Sequence, residues 1–356
     1  VSGPTSAASI VLFSVLAPHA EPGSAEYVKL ALTLTFLVGV VQVVMGLAKL
    51  GTLVNFISHS VVTGFTAGAA ILIATNQVKH FTGLDIPRGS DFATVWGHAF
   101  THLPDIHTDI ALTGLVTLLL GIVVKRWMPK LPYMIVAMLG GSVFGYFVAR
   151  ATGVSLPAVG ALPATMPPLS MPSLDLESVR AIASGVIAVT LLALTEAVSI
   201  ARALAARSGQ HVDGNQEFVG QGLSNIAGAF FSGYVATGSF NRSGVNYAAG
   251  AKTPVAAILA GVFLLVLVLL VAPWAQYLPN AAMAGILFMV AWGLIDFEEI
   301  FHTLKSSRQE SAILLTTFAC TLFLTLEEAI IVGVLMSLAI YLARTSKPQV
   351  RVRAPD

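Results

Sequence analysis

The sequence predicts an all-α polytopic membrane protein, and three observations carry that prediction. Charged residues make up 10% of the 356 residues while 56% are hydrophobic, against about 25% charged in an ordinary soluble domain. Apolar runs recur along the chain, among them 30–50, 61–73, 110–124, 186–194, 255–271 and 313–324 with their flanks, and about 20 apolar residues cross a bilayer as a helix. These runs lack the period-2 alternation of barrel strands, and lipid admits only helices and closed barrels as spanning structures. A mean hydropathy of +0.82 agrees.

Apolar runs punctuated by Gly, Pro and charge divide the chain into twelve membrane segments. They lie near residues 4–17, 26–49, 55–79, 109–126, 132–149, 178–204, 214–233, 239–249, 253–273, 279–295, 309–326 and 328–344. The first and eighth are too short to cross alone. A connection at 80–108 is rich in His and Asp. A second, 151–176, carries Pro157, Pro163, Pro167, Pro168 and Pro172 and reads as an external linker between two halves. When the segments alternate across the membrane, thirteen Lys and Arg residues fall on one side, from Lys49 to Arg353, and five on the other: Lys29, Lys79, Arg88, Arg150 and Arg180. The positive-inside rule makes the first side, with the C-terminus, cytoplasmic.

The net charge of +1 argues against nucleic acid as a partner. The single cysteine, Cys320, excludes an internal disulfide and a thiolate metal site. The chain opens at Val1, and no charged n-region precedes an apolar h-region, so no signal peptide is expected. The missing Met predicts a fragment.

Two segments make poor transmembrane helices. Gly3-Pro4-Thr5-Ser6 opens on a Pro at a helix start, where its missing N–H costs nothing, and leads into only a short apolar run. Thr237-Gly238-Ser239-Phe240-Asn241-Arg242-Ser243-Gly244 is small, polar and cationic between strongly apolar neighbours. Short, Gly/Pro-interrupted segments in corresponding positions of two halves point to a transporter binding site. Half-helix N-termini present unpaired N–H groups that suit an anion, and Arg242 adds a full positive charge. Alone, each segment reads as a loop; the pair with Arg242 reads as a site. Glu196 is the other ionisable residue placed well inside the membrane, where such groups are costly and functional by default. A structural ion pair with Arg242 is one reading. In the other, burial penalises its charged form, so that Glu196 carries a coupling proton or holds a cation.

The run from Gly214 through Tyr234, including Gly220-Gln221-Gly222-Leu223-Ser224-Asn225, continues into Thr237–Ser243. It resembles the signature of the SulP (sulfate permease) family. Phe56–Thr66 and Leu326–Val334 are similar to two further blocks of that family, and the resemblance covers essentially the whole chain. It implies a fold of fourteen segments in two inverted seven-segment repeats, divided into core and gate domains. The twelve segments here would be the third to fourteenth. Residues 1–150 would be the remainder of the first repeat, 151–176 the linker, 177–346 the second repeat and 347–356 the start of a cytoplasmic tail, which in family members generally leads into a STAS domain.

Carried over by position, Arg242 matches the family's basic residue on the tenth helix and Glu196 its acidic residue on the eighth. Asn241 stands where Ser is frequent, and Thr5 where some animal members have an aromatic. The resemblance implies a secondary transporter of a small inorganic oxyanion, sulfate or bicarbonate, in the bacterial inner membrane. It further implies a homodimer with no cofactor that moves by an elevator-like step. The substrate residues are Gly3, Pro4, Thr5, Ser6, Ser239, Phe240, Asn241 and Arg242. Coupling is through Glu196, to a proton ahead of sodium. Two alternatives compete: an anion channel or motor, and a nucleobase:cation symporter of the same fold, which would place an acidic residue where Arg242 stands. No nucleophile–base pair, metal cluster or nucleotide loop points to an enzyme. His80, His98, His102, His107 and the Asp residues of 80–108 lack tight ligand spacing and read as a solvated loop. Glu327 and Glu328 read as helix-capping residues, and Gly64, Gly68, Gly140 and Gly141 as close helix contacts.

Overall fold

The computed structural model describes residues 1–51, 58–87, 90–160 and 165–345. The side chains of Ser6, Arg202, Ala203, Ala206, Arg207, Phe240, Asn241, Ala248, Glu327, Arg344 and Thr345 lie outside that description. So do Phe56 and Ile57 of the second family-like block, Arg88, and the tail after 345.

Each of the twelve apolar segments is a helix. In chain order they are α1 (Ser6–Leu16), α2 (Ala25–Leu47), α3 (His59–Thr82), α5 (Thr108–Trp127), α6 (Tyr133–Thr152) and α7 (Leu176–Ser208). These are followed by α8 (Gly214–Phe230), α9 (Phe240–Ala248), α10 (Val255–Val271), α11 (Asn280–Leu294), α13 (Arg308–Phe323) and α14 (Leu326–Thr345). Seven stretches among the described residues are long and apolar enough to cross a membrane.

Two further helices lie outside the twelve segments. The 80–108 connection is not simply a solvated loop, because α4 (Phe92–Thr101) turns Val95 and Ala99 onto Val78, Leu84 and Ile86. The acidic stretch after Asp296 is α12 (Phe297–Ser306), with Thr303 buried and Phe297, Phe301 and Leu304 exposed. Both helices are ten residues long and amphipathic, so polar or charged residues interrupt the apolar runs that mark the longer helices.

The chain forms two compact units, each built from separate stretches. Residues 1–65, 168–249 and 297–356 form the first, and 66–167 with 250–296 the second. Each draws on chain from before and after the 151–176 linker. In the first unit α2 lies along α8, and glycine permits the close approach: a Cβ on Gly39 would stand 2.7 Å from the Gly222 carbonyl oxygen. Gly64 likewise meets the backbone of Leu314. Phe65, Phe218, Leu34, Ile182, Leu194 and Ile313 fill this unit's core.

In the second unit a Cβ on Gly285 of α11 would stand 2.6 Å from the Gly114 carbonyl oxygen of α5, and Gly141 of α6 meets Thr117. Phe81 and Phe288 pack edge to face, 5.1 Å between centroids. Several buried hydroxyls are satisfied within their own helices. Thr113 and Thr117 donate to the carbonyls of Asp109 and Thr113, both at 2.8 Å, and Thr317 and Thr321 do the same in the first unit.

Caps define the helix ends. Asp175 accepts from the Ser178 N–H at 2.8 Å to open α7, which ends on Gly209 in the left-handed region. Glu328 behaves as expected of a cap: it accepts from Thr325 N–H at 3.0 Å while Thr325 Oγ1 accepts from Glu328 N–H at 3.3 Å.

Candidate functional site

The two short, poor membrane segments meet in the first unit. Ser2–Gly3 (β1) and Thr237–Gly238 (β2) pair as an antiparallel ribbon, Ser2 opposite Gly238 and Gly3 opposite Thr237. Each strand runs almost directly into a half-helix, β1 into α1 and β2 into α9. The pairing leaves the N-termini of the two helices flanking one ribbon. Thr5 caps α1, accepting from Ala8 N–H at 3.3 Å, and Ser239 caps α9, accepting from Arg242 N–H at 3.4 Å. Both caps have the β-region backbone that a helix start requires.

Arg242 lies in the first turn of α9 and crosses back over the ribbon, where its Nη2 donates to the Pro4 carbonyl oxygen at 2.9 Å. Gly3 makes room for it: a Cβ there would stand 2.6 Å from Arg242 Nη1 and 3.2 Å from Cζ. On the other side of the ribbon a Cβ on Gly238 would stand 2.9 Å from Ala197 Cα of α7. Both ribbon glycines are thus places of close approach, one against a guanidinium and one against a helix backbone.

Glu196 stands one residue before that α7 contact. Its Oε2 accepts from Thr237 Oγ1 at 3.1 Å and from Thr5 Oγ1 at 3.3 Å. Thr237 also donates to the Ala193 carbonyl oxygen at 3.1 Å and is fully buried. Among the described residues no ion pair joins Glu196 to Arg242; the carboxylate is held by hydroxyls from both half-helix entrances. The structure thus brings together Gly3, Pro4, Thr5, Ser239, Arg242 and Glu196. The backbones of Ser6, Phe240 and Asn241 open the same two helices, and their side chains lie outside the described ones.

Sequence reasoning passed over Thr237 as a Glu196 partner and Gln221 and Asn225 as supports of the ribbon. Asn225 Oδ1 accepts from Ala236 N–H at 2.8 Å, and Gln221 Oε1 accepts from Ser2 Oγ at 2.9 Å. Polar residues at two positions one helical turn apart on α8 carried the available signal, since a membrane helix has little reason to bury amides without partners.

Chemically, the arrangement offers two helix starts, a guanidinium and several hydroxyl groups around one ribbon, with a carboxylate behind it. The positive elements suit an anion. The carboxylate, held by neutral donors, is available for a proton or a small cation.

A family model described as the sulfate permease family matches residues 1–317. The chain is 32% identical over 355 residues to "Sulfate transporter 4.1, chloroplastic" of Arabidopsis thaliana, covering 98% of this chain and 52% of that protein. It is 31% identical over 350 residues to "Putative sulfate transporter YvdB" of Bacillus subtilis (strain 168), covering 98% and 64%. The chain thus spans about half to two-thirds of the length of these curated relatives. Among solved structures, the transmembrane domain of a cyanobacterium bicarbonate transporter, BicA, has a TM-score of 0.78 at 21% identity, covering 95% of this chain and 84% of that one. The murine Slc26a9 anion transporter has a TM-score of 0.85 at 19% identity, covering 97% and 60%. At these identities the two likenesses show the fold, an all-α polytopic membrane protein.

Proposed function

Since this chain belongs to the sulfate permease family, we propose that it is the membrane part of a secondary transporter of small inorganic anions of the sulfate or bicarbonate class. The observation that carries this reading is the β1–β2 ribbon. It gathers two half-helix N-termini and the Arg242 guanidinium at one place. An oxyanion bound there by Ser239, Arg242 and the N-terminal backbones of α1 and α9 meets donors and positive dipole ends. A nucleobase:cation symporter of the same fold would place an acidic residue where Arg242 stands.

Glu196 supplies the coupling in this reading. Its hydrogen bonds to Thr5 and Thr237 tie it to both helix entrances, so its protonation and the occupancy of the anion site act on the same two hydroxyls. A proton is the natural co-substrate: the donors around Glu196 are hydroxyls, and a sodium ion would need several oxygen ligands from the same small space. Every residue of the proposed site lies in one compact unit. That fits an elevator-like step in which the unit carries the anion while the other holds its place in the lipid. The protein would be a homodimer of the bacterial inner membrane, with the C-terminus cytoplasmic and the two inverted repeats divided at 151–176.

The test is labelled-anion uptake into proteoliposomes by the full-length protein and two variants. Arg242→Ala abolishes uptake. Glu196→Gln keeps an acceptor for both threonine hydroxyls, so it folds with unchanged Tm and still exchanges anions, but loses uptake driven by an inward proton gradient. Full gradient-driven uptake by Glu196→Gln would remove the proton role.

A further inference from the structure

We infer that Gln42, Asn225 and Gln221 are positioning residues that hold Ala236, and through it the Thr237–Arg242 entrance to α9, in the geometry that binds the anion. The inference rests on the anion-transport reading and extends it to residues on α2 and α8.

Ala236 is the residue immediately before β2. Both of its backbone polar groups are taken by side chains of α8. Its N–H donates to Asn225 Oδ1 at 2.8 Å, and its carbonyl oxygen accepts from Asn225 Nδ2 at 3.1 Å and also from Gln221 Nε2. The non-helical stretch between α8 and β2 is therefore held at its last residue by two amides one turn apart. Gln221 is oriented in turn from β1, whose Ser2 Oγ donates to Gln221 Oε1 at 2.9 Å.

The third amide comes from α2. Asn225 Nδ2 also donates to Gln42 Oε1 at 2.9 Å, across 183 positions of sequence. This contact exists because glycines remove the side chains that would separate the helices. A Cβ on Gly222 would stand 2.6 Å from the Gly39 carbonyl oxygen, so the short Asn225 reaches Gln42 one turn along. The two bonds to Ala236 fix which way the Asn225 amide faces. Its NH₂ must then face Gln42, and Gln42 must answer with its oxygen. Gln42 is fully buried, and its Nε2 has no hydrogen-bond partner among the described residues.

That orphan donor separates positioning from simple packing. An unsatisfied buried donor costs stability, and an apolar side chain of similar length avoids that cost. If Gln42 served packing alone, leucine would fill its place and remove the orphan donor, at the cost of one Asn225 Nδ2 hydrogen left without its acceptor. What leucine lacks is the acceptor oxygen that takes the second Nδ2 hydrogen of Asn225 and so helps hold that amide against Ala236.

The test uses the full-length protein with Gln42→Leu, Gln42→Glu and the control Arg242→Ala. Two readouts are taken: the KM for labelled sulfate in proteoliposomes, and hydrogen exchange of the peptide covering 234–240. Gln42→Leu leaves Tm close to the parent's, since it trades one orphan donor for another, yet raises KM about fivefold or more and speeds exchange of the Ala236–Gly238 amides about tenfold. Gln42→Glu retains an acceptor oxygen and keeps KM within about twofold of the parent. A Gln42→Leu protein with a lowered Tm but parental KM and exchange overturns the inference and leaves a packing role only. If the parent carries no anion and Arg242→Ala changes nothing, the transport reading itself fails. The exchange readout then still decides the matter: unchanged exchange overturns the positioning role, and faster exchange sustains it.

Discussion

The ribbon glycines illustrate how one residue type serves two purposes at one site. At Gly3 an added Cβ meets the end of a flexible side chain, the Arg242 guanidinium. That group can move aside, so Gly3→Ala should leave Tm nearly unchanged while raising KM for the anion about tenfold, because Arg242 no longer lies against the ribbon. At Gly238 the added Cβ meets the α7 backbone at Ala197, which has no room to yield. Gly238→Ala should therefore cost about 1–3 kcal/mol of stability as well as transport. Thermal unfolding in detergent with paired uptake assays separates the two; equal loss of Tm in both would contradict this account. Arg242 and Glu196 were legible in the sequence because charge inside a membrane segment is conspicuous. Thr237, Gln42 and Asn225 were not. Uncharged polar residues on a membrane helix look alike until the fold shows which meets which.

At the scale of elements, long apolar runs declared themselves, and each became a helix where expected. The two short amphipathic helices α4 and α12 did not, because residues such as His98, Glu298 and Glu299 break the run while the i, i+4 spacing of Val95 and Ala99 is easily taken for chance. Helix α7 carries Glu196, and its start is built from polar groups outside the apolar span. Ser173 Oγ, the Ser178 N–H and Ser178 Oγ all donate to Asp175, and Lys29 lies 3.6 Å away. These bonds, that from Ser173 foremost, hold the Asp175 carboxyl well below the usual carboxylate range. A group whose folded pKa is depressed stabilises the fold above its unfolded pKa, about 3.9 for Asp, and loses that effect as pH falls through its folded value. Asp175→Ala should thus lower Tm throughout the neutral range. The gap to the parent should stay open through pH 4 and narrow only in stronger acid. A gap that closed between pH 6 and 5 would point to a different group.

For the whole molecule, the sequence foretold a helical membrane protein with paired half-helices, and the family resemblance implied a core and a gate domain, but nothing in the residues said which separate stretches form each compact unit. Local patterns report on neighbours in the chain, whereas the division into units is set by which distant helices share glycine seams. The proposed site has all its parts in one of these units, and the account stands or falls on whether that unit binds and carries an anion. The measurement that tests this most directly is uptake of labelled sulfate into proteoliposomes of the full-length protein under an inward proton gradient, competed by unlabelled bicarbonate, chloride and fumarate. The account predicts saturable, gradient-driven uptake that Arg242→Ala abolishes, with at least one oxyanion competing. Uptake that persists in Arg242→Ala, or no uptake and no competition under any gradient, would contradict it.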